Sequence, residues 1–307
     1  MRVVLILFLI ENWEKMSLAA ANGSHDAAVE VVSLGFGYPG AQRYSLQDVK
    51  LSLPKGSRCL LCGANGAGKS TLLQVLGGKY MVSKTNVKVL DSPPFHDTQL
   101  TSSGQLAYLG TTWRKSVGSA SGVAMATDVT AEFMLHNVEG VDDERRQKLI
   151  DLLDIDLSWS LMHISDGQRR RVQIAMGLLK PYSVLLLDEI TVDLDVVGRL
   201  DLLQFLKEEC EERNATIVYA THIFDGLEDW LTHLAYVEHG RMTRFESITD
   251  LMPDGPNSGK LLDIVEKWLT DEKELRKKHG IKELEVMHNG SANMFMMPKK
   301  HMSYYRS

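Results

Sequence analysis

Gly63-Ala64-Asn65-Gly66-Ala67-Gly68-Lys69-Ser70-Thr71 fills every fixed position of the pattern G-x-x-x-x-G-K-[ST]. The spacing has a chemical reason. Glycines let successive backbone N–H groups turn toward a polyphosphate with no Cβ in the way. Lys69 supplies a point charge for the β- and γ-phosphates, and the Ser70 hydroxyl suits a Mg2+ shell. A helix opening at Lys69 aims the positive end of its dipole at the same anion. The flanks give the context the pattern needs. Ser57 to Cys62 is a short apolar run suited to a buried parallel strand. Thr71 to Leu76, stopped at Gly77-Gly78, reads as a helix. Strand, loop and helix together predict a site for a nucleoside triphosphate.

The 307 residues allow one large domain or two small ones around a buried core. A net charge of −6 argues against a broad nucleic-acid surface. Three cysteines make no disulfide framework. Cys59 and Cys62 form a C-x-x-C, but strand residues three apart face opposite ways, and no second pair completes a zinc site. Two buried small side chains are expected instead.

The apolar run Val3 to Ile10 behind Arg2 has the look of a signal peptide, with Ala19-Ala20-Ala21 further on. Glu11 to Lys15 separates the two, and the run is far short of the roughly 20 residues that span a bilayer. Met16-Ser17 would make an alternative start. Residues 1–28 are therefore expected to be a tail on a cytosolic protein, with the nucleus left open, and no integral membrane segment is expected.

Val29 to Gly40 and Leu46 to Leu53 read as two strands, suited to the antiparallel edge of a mixed sheet. Asn86 to Leu90 and Gln105 to Leu109 are further strand candidates, and Gly110 to Thr127 reads as a loop. Thr130 to Asn137 and Asp142 to Leu153 read as helices, making residues about 110–180 a helical insertion. Ser183 to Leu187, Ala215 to Ala220, His233 to Val237 and Met242 to Phe245 follow as strands. Between them fall helices at Val197 to Glu212 and Phe224 to Trp230. This alternation predicts an α/β fold, a mostly parallel sheet with helices on its faces. Beyond a linker at Pro253 to Gly259, Lys260 to Lys278 is one helix with Leu261, Ile264, Val265, Trp268 and Leu269 along one side. Its own domain is the favoured dock, a partner the alternative. Met294 to Ser307 shows no period.

Three further segments carry chemistry. Val184 to Leu187 ends in Asp188-Glu189, placing Asp188 beside the phosphate loop to hold Mg2+ and Glu189 toward the γ-phosphate to polarise water. His222 follows the strand Thr216 to Ala220, where an imidazole can sense the γ-phosphate. Ile164 to Arg171 offers the Ser165 hydroxyl and Gly167 N–H to an anion; by itself it reads sooner as an ordinary cap, Ser165 or Asp166, on the helix Gly167 to Leu179.

In their order the four segments resemble the ATP-binding-cassette family over roughly Val29 to Met252. The resemblance implies a P-loop NTPase cassette with an antiparallel β-subdomain, an ATP hydrolase using ATP and Mg2+. It implies that Ser165, Asp166, Gly167 and Gln168 form a signature acting in trans, with Gln168 at its end. Asp195 matches the acid of a loop at the dimer contact. Tyr38 takes the place of the aromatic that stacks on adenine, with Phe36 as fallback. Catalysis falls to Glu189 and His222, the metal to Ser70 and Asp188, and ATP binding to Gly63 through Thr71 with Tyr38. A homodimer, or a heterodimer with a related cassette, follows.

Two departures stand out. Asp166 replaces a glycine and adds a carboxylate near a triphosphate, which Arg169 or Arg170 would have to offset. In Tyr108-Leu109-Gly110-Thr111-Thr112-Trp113, Thr111 takes the place of a hinge glutamine that couples such cassettes to a membrane partner. Together with the variant signature, that segment is similar to soluble single-cassette proteins of plant subfamily I. Their fungal relative is associated with the deadenylase and transcription-regulatory complex. A regulatory ATPase whose output is a partner surface is the expectation, with the helix Lys260 to Lys278 presented or hidden. The ATPase subunit of a transporter and an iron–sulphur-assembly ATPase are the alternatives; the insertion is too short for the coiled-coil arms of chromosome ATPases.

Overall fold

The computed structural model describes residues 27–41, 43–110, 129–253 and 260–278. The expectations for the tail before Ala27, for Thr111 and the loop after it, for the linker at 254–259 and for everything beyond Lys278 lie outside the described residues.

In chain order the strands are β1 (Ala27–Phe36), β2 (Leu46–Pro54), β3 (Arg58–Cys62), β4 (Val87–Val89), β5 (Leu106–Leu109), β6 (Val184–Asp188), β7 (Thr216–Ala220), β8 (His233–Glu238) and β9 (Arg241–Ser247). The helices are α1 (Lys69–Leu76), α2 (Gln99–Ser102), α3 (Ala131–His136), α4 (Asp143–Leu152), α5 (Asp166–Leu178), α6 (Val196–Arg213), α7 (Ile248–Leu251) and α8 (Lys260–Lys278). Six strands form one sheet in the order β5-β6-β7-β3-β8-β9. All are parallel except β9, which returns antiparallel to β8 through the turn at His239-Gly240. The five residues of β6 and the five of β7 are all buried, which explains their near-continuous apolar sequence.

Along β3 the period of two divides the side chains between two cores. Cys59 and Leu61 join one cluster, Leu60 and Cys62 the other. The two thiols therefore lie on opposite faces, as the spacing predicts. One core is closed by α3 to α6 and α8. The other lies between α1, the sheet and a second sheet of order β2-β1-β4.

That second sheet is the antiparallel β-subdomain that the resemblance implies, and it corrects only the reading of the first two strands as an edge of the main sheet. β1 pairs antiparallel with β2 on one side and β4 on the other, so both of its edges are used. The antiparallel strands thus form a sheet of their own, and the antiparallel edge of the main sheet is β9. A second correction falls at Phe224 to Trp230, which is a run of turns. Gly226 takes a φ of 79°, which breaks the helical path. Leu227 and Trp230 are buried, and the Trp230 indole donates to the Leu203 carbonyl of α6 at 2.8 Å. Docking on α6 overrides the local helical pattern.

Leu261, Val265, Trp268 and Glu272, spaced along one face of α8, are all buried. Trp268 meets Tyr236 of β8 edge-on at 5.5 Å, with the Arg244 guanidinium 4.8 Å above its ring. Tyr236 donates its hydroxyl to Glu272 at 2.5 Å. The helix docks on its own domain, and each apolar side chain so buried contributes about 1.5–3 kcal/mol. That face is not free to be presented to a partner.

Candidate functional site

β3 enters the phosphate loop at Gly63, whose φ is 144°. A Cβ there would lie 2.1 Å from the Val237 carbonyl oxygen, so the strand can turn out of the sheet only at glycine. Ala67 N–H closes the loop on the Ala64 carbonyl at 3.1 Å, leaving Asn65 and Gly66 at the exposed tip. Gly68 (φ 112°) begins α1 with no side-chain cap, so the first-turn N–H groups of this helix can face an anion. Lys69 is buried; its Nζ donates to the carbonyls of Gly63 at 2.8 Å and Ala64 at 3.1 Å. Burial pushes its pKa down, and the charges of Glu189 and Asp188 oppose that push.

Asp188 closes β6 and is 2% exposed. Burial raises its pKa, against hydrogen bonds that favour the carboxylate. Ser70 Oγ donates to Oδ1 at 3.0 Å, and the Tyr108 hydroxyl donates to Oδ2 at 3.1 Å. A hydroxyl and a carboxylate held together suit a hard cation. Glu189 follows in the left-handed region (φ 51°), anchored by its N–H on the Ala220 carbonyl of β7 at 2.9 Å. Strain of this kind persists only where the surroundings impose it. Its Oε1 lies 3.6 Å from His222 Nδ1, and that histidine is largely exposed at the end of β7.

Tyr38 lies against α1, its hydroxyl 3.1 Å from Thr71 Oγ1, and packs edge-on to Phe36 and Tyr80. Phe36 is buried and Tyr38 half-buried, so of the two aromatics Tyr38 is the one that can offer a face to a base.

Ser165 is the N-cap of α5. Its Oγ accepts from Gln168 N–H at 3.2 Å, and its own N–H donates to Gln168 Oε1 at 3.0 Å, a complete capping box. Asp166 is offset by Arg169, 2.7 Å away, which also donates to the carbonyls of Leu161 and Ile164. Arg170 instead turns inward, with Nε on the Ile190 carbonyl at 3.2 Å. Asp195 caps α6 through Gly198 N–H at 2.8 Å and pairs with Arg171 Nη2 at 2.8 Å. The Gly198 N–H, with Arg171 behind it, holds this carboxyl below the usual range. Gly167 sits close to the Asp193 carbonyl.

The structure thus brings Gly63 to Ser70, Asp188, Glu189 and His222 together, and gathers Ser165 to Gln168 with Asp195 in a second cluster. Sequence reasoning passed over Tyr108 and Lys79. Only the alternation of the strand, which puts Tyr108 and Leu106 on one face, signals the first.

Residues 46–192 match the family model described as ABC transporter. The chain is 53% identical to ABC transporter I family member 21 of Arabidopsis thaliana, over 92% of this chain and 97% of that protein. This chain belongs to the ABC transporter family. It is also 41% identical to CCR4-associated factor 16 of Saccharomyces cerevisiae, over 70% of this chain and 77% of that one. The fold is that of a solved dimeric ATP-binding cassette in a post-hydrolysis state, bound to ADP and Pi. The TM-score is 0.59 at 20% identity, covering 72% of this chain and 98% of that one. The cassette binds ATP and is an ATP hydrolase of the ABC type. Among the described residues no helix is long and apolar enough to cross a membrane.

Proposed function

We propose that two copies of this cassette close on two ATP molecules, each held by the phosphate loop of one copy and Ser165 to Gln168 of the other. The observation that carries the ATPase chemistry is the joining of Ser70 and Asp188 at 3.0 Å beside a Glu189–His222 pair at 3.6 Å. Residues 29–252 form the cassette, with the insertion at about 110–180 carrying the signature, flanked by 1–28 and 253–307. Loop N–H groups and Lys69 hold the β- and γ-phosphates, and Tyr38 stacks on the base. Ser70 and Asp188 fit Mg2+: the donors are hard oxygens, and a buried carboxylate disfavoured by its surroundings gains from a cation. Bound there, Mg2+ neutralises charge on the phosphates. Glu189 orients the attacking water and accepts its proton, and His222 donates a hydrogen bond to the γ-phosphate. Asp195 stiffens the loop at the contact between copies.

Glu189→Gln should lower hydrolysis by about 10²–10⁴-fold and leave an ATP-bound dimer, read by phosphate release and light scattering. A variant that hydrolyses ATP normally would overturn the role of Glu189.

The cycle serves a regulatory protein complex and carries no solute. The similarity to CCR4-associated factor 16 supports this, as does the threonine at the coupling position. A tagged pull-down with Mg-ATP and with ADP should recover protein partners in a nucleotide-dependent way. Membrane flotation that survives high salt would favour a transporter subunit instead.

A further inference from the structure

We propose that Tyr108 is a positioning residue for Asp188, fixing the carboxylate oxygen that Ser70 does not hold. This rests on the assignment of Ser70 and Asp188 to Mg2+. The Tyr108 hydroxyl donates to Asp188 Oδ2 at 3.1 Å while Ser70 Oγ donates to Oδ1 at 3.0 Å, so the carboxylate is gripped at both oxygens. Hydrogen bonds at both oxygens favour one rotation of the carboxylate about its last bond, and with it the direction of its remaining lone pairs.

The surroundings are shaped for that ring. A Cβ on Gly110 would lie 2.4 Å from the Tyr108 hydroxyl, so a side chain at that position would push the hydroxyl out of its present place. At the other end, a Cβ on Gly77 would meet the Tyr108 Cβ at 3.3 Å, which shows how closely the end of α1 approaches. Lys79 Nζ lies 4.0 Å above the ring, placing a cation over its face. Tyr108 is half-buried, and its hydroxyl reaches the buried Asp188 at 3.1 Å.

The test uses the full chain, with affinity for a fluorescent ADP analogue measured in EDTA and at rising Mg2+. Tyr108→Phe keeps the ring and removes the hydroxyl. It should raise the Mg2+ concentration for half-effect by about 10-fold, while affinity in EDTA and the melting temperature stay at wild-type values. Gly110→Ala, which crowds the hydroxyl with the tyrosine retained, should give the same Mg2+ defect. Asp188→Asn is the control. If it weakens Mg2+ dependence and Tyr108→Phe does not, the positioning role is overturned and the metal assignment stands. If neither variant changes Mg2+ dependence, the assignment of Asp188 to Mg2+ fails and the role of Tyr108 fails with it. A Tyr108→Phe defect of equal size with and without Mg2+ means a merely structural ring, and also overturns the proposal.

Discussion

Lys69 and Asp188 are both buried, and burial opposes the charge on each. A site of this kind is poised for a ligand that brings charge of both signs, a polyphosphate with its cation. The cysteines show the opposite use of burial. Cys59, Cys62 and Cys210 are all buried, and burial pushes the thiols of Cys62 and Cys210 up to about 12 and that of Cys59 higher still. The thiolate is the reactive form, so at pH 8 almost none is present. Iodoacetamide at that pH should leave the native protein unlabelled and modify all three thiols once it is unfolded. Fast labelling of Cys62 in the native protein would contradict a purely structural role beside Lys69.

Among the elements, α8 is the one whose role the sequence leaves open. Its apolar stripe is legible in the spacing of Leu261, Val265 and Trp268, but no pattern says which surface receives it. Glu272 makes the point: a charged residue on a helix reads as solvated, yet Tyr236 and His239 draw it inside. Leu261→Ala should destabilise the chain by about 2–5 kcal/mol, seen as a lower melting temperature with nucleotide present or absent. A variant that melts as wild type and loses a partner would assign the helix to that partner. The parallel strands of the main sheet are readable because each is a largely apolar run, and the loop at Gly63 because its chemistry fixes its spacing. Phe224 to Trp230 was misread because Trp230 reaches a carbonyl on α6, a contact no local pattern contains. Tyr108 escaped for a related reason, since its partner Asp188 lies 80 residues away.

At the scale of the whole molecule, the parallel sheet sets the ends of β3, β6 and β7 side by side. One copy thereby supplies the phosphate loop, Asp188, Glu189 and His222. Ser165 to Gln168 and Asp195 belong to another cluster, tied by the caps of α5 and α6 and by Arg171. In the proposed dimer these two clusters lie on opposite sides of one ATP, contributed by different copies. In a two-fold dimer each copy gives one of each. Lys69→Ala removes the loop half and Ser165→Arg blocks the signature half, so neither variant alone retains a complete site. A mixed dimer keeps one, built from the loop of the second variant and the signature of the first. ATP hydrolysis by an equal mixture of the two inactive variants is therefore the most direct measurement. Recovery to about a quarter of the wild-type rate is expected; a mixture no more active than its parts would contradict the shared site.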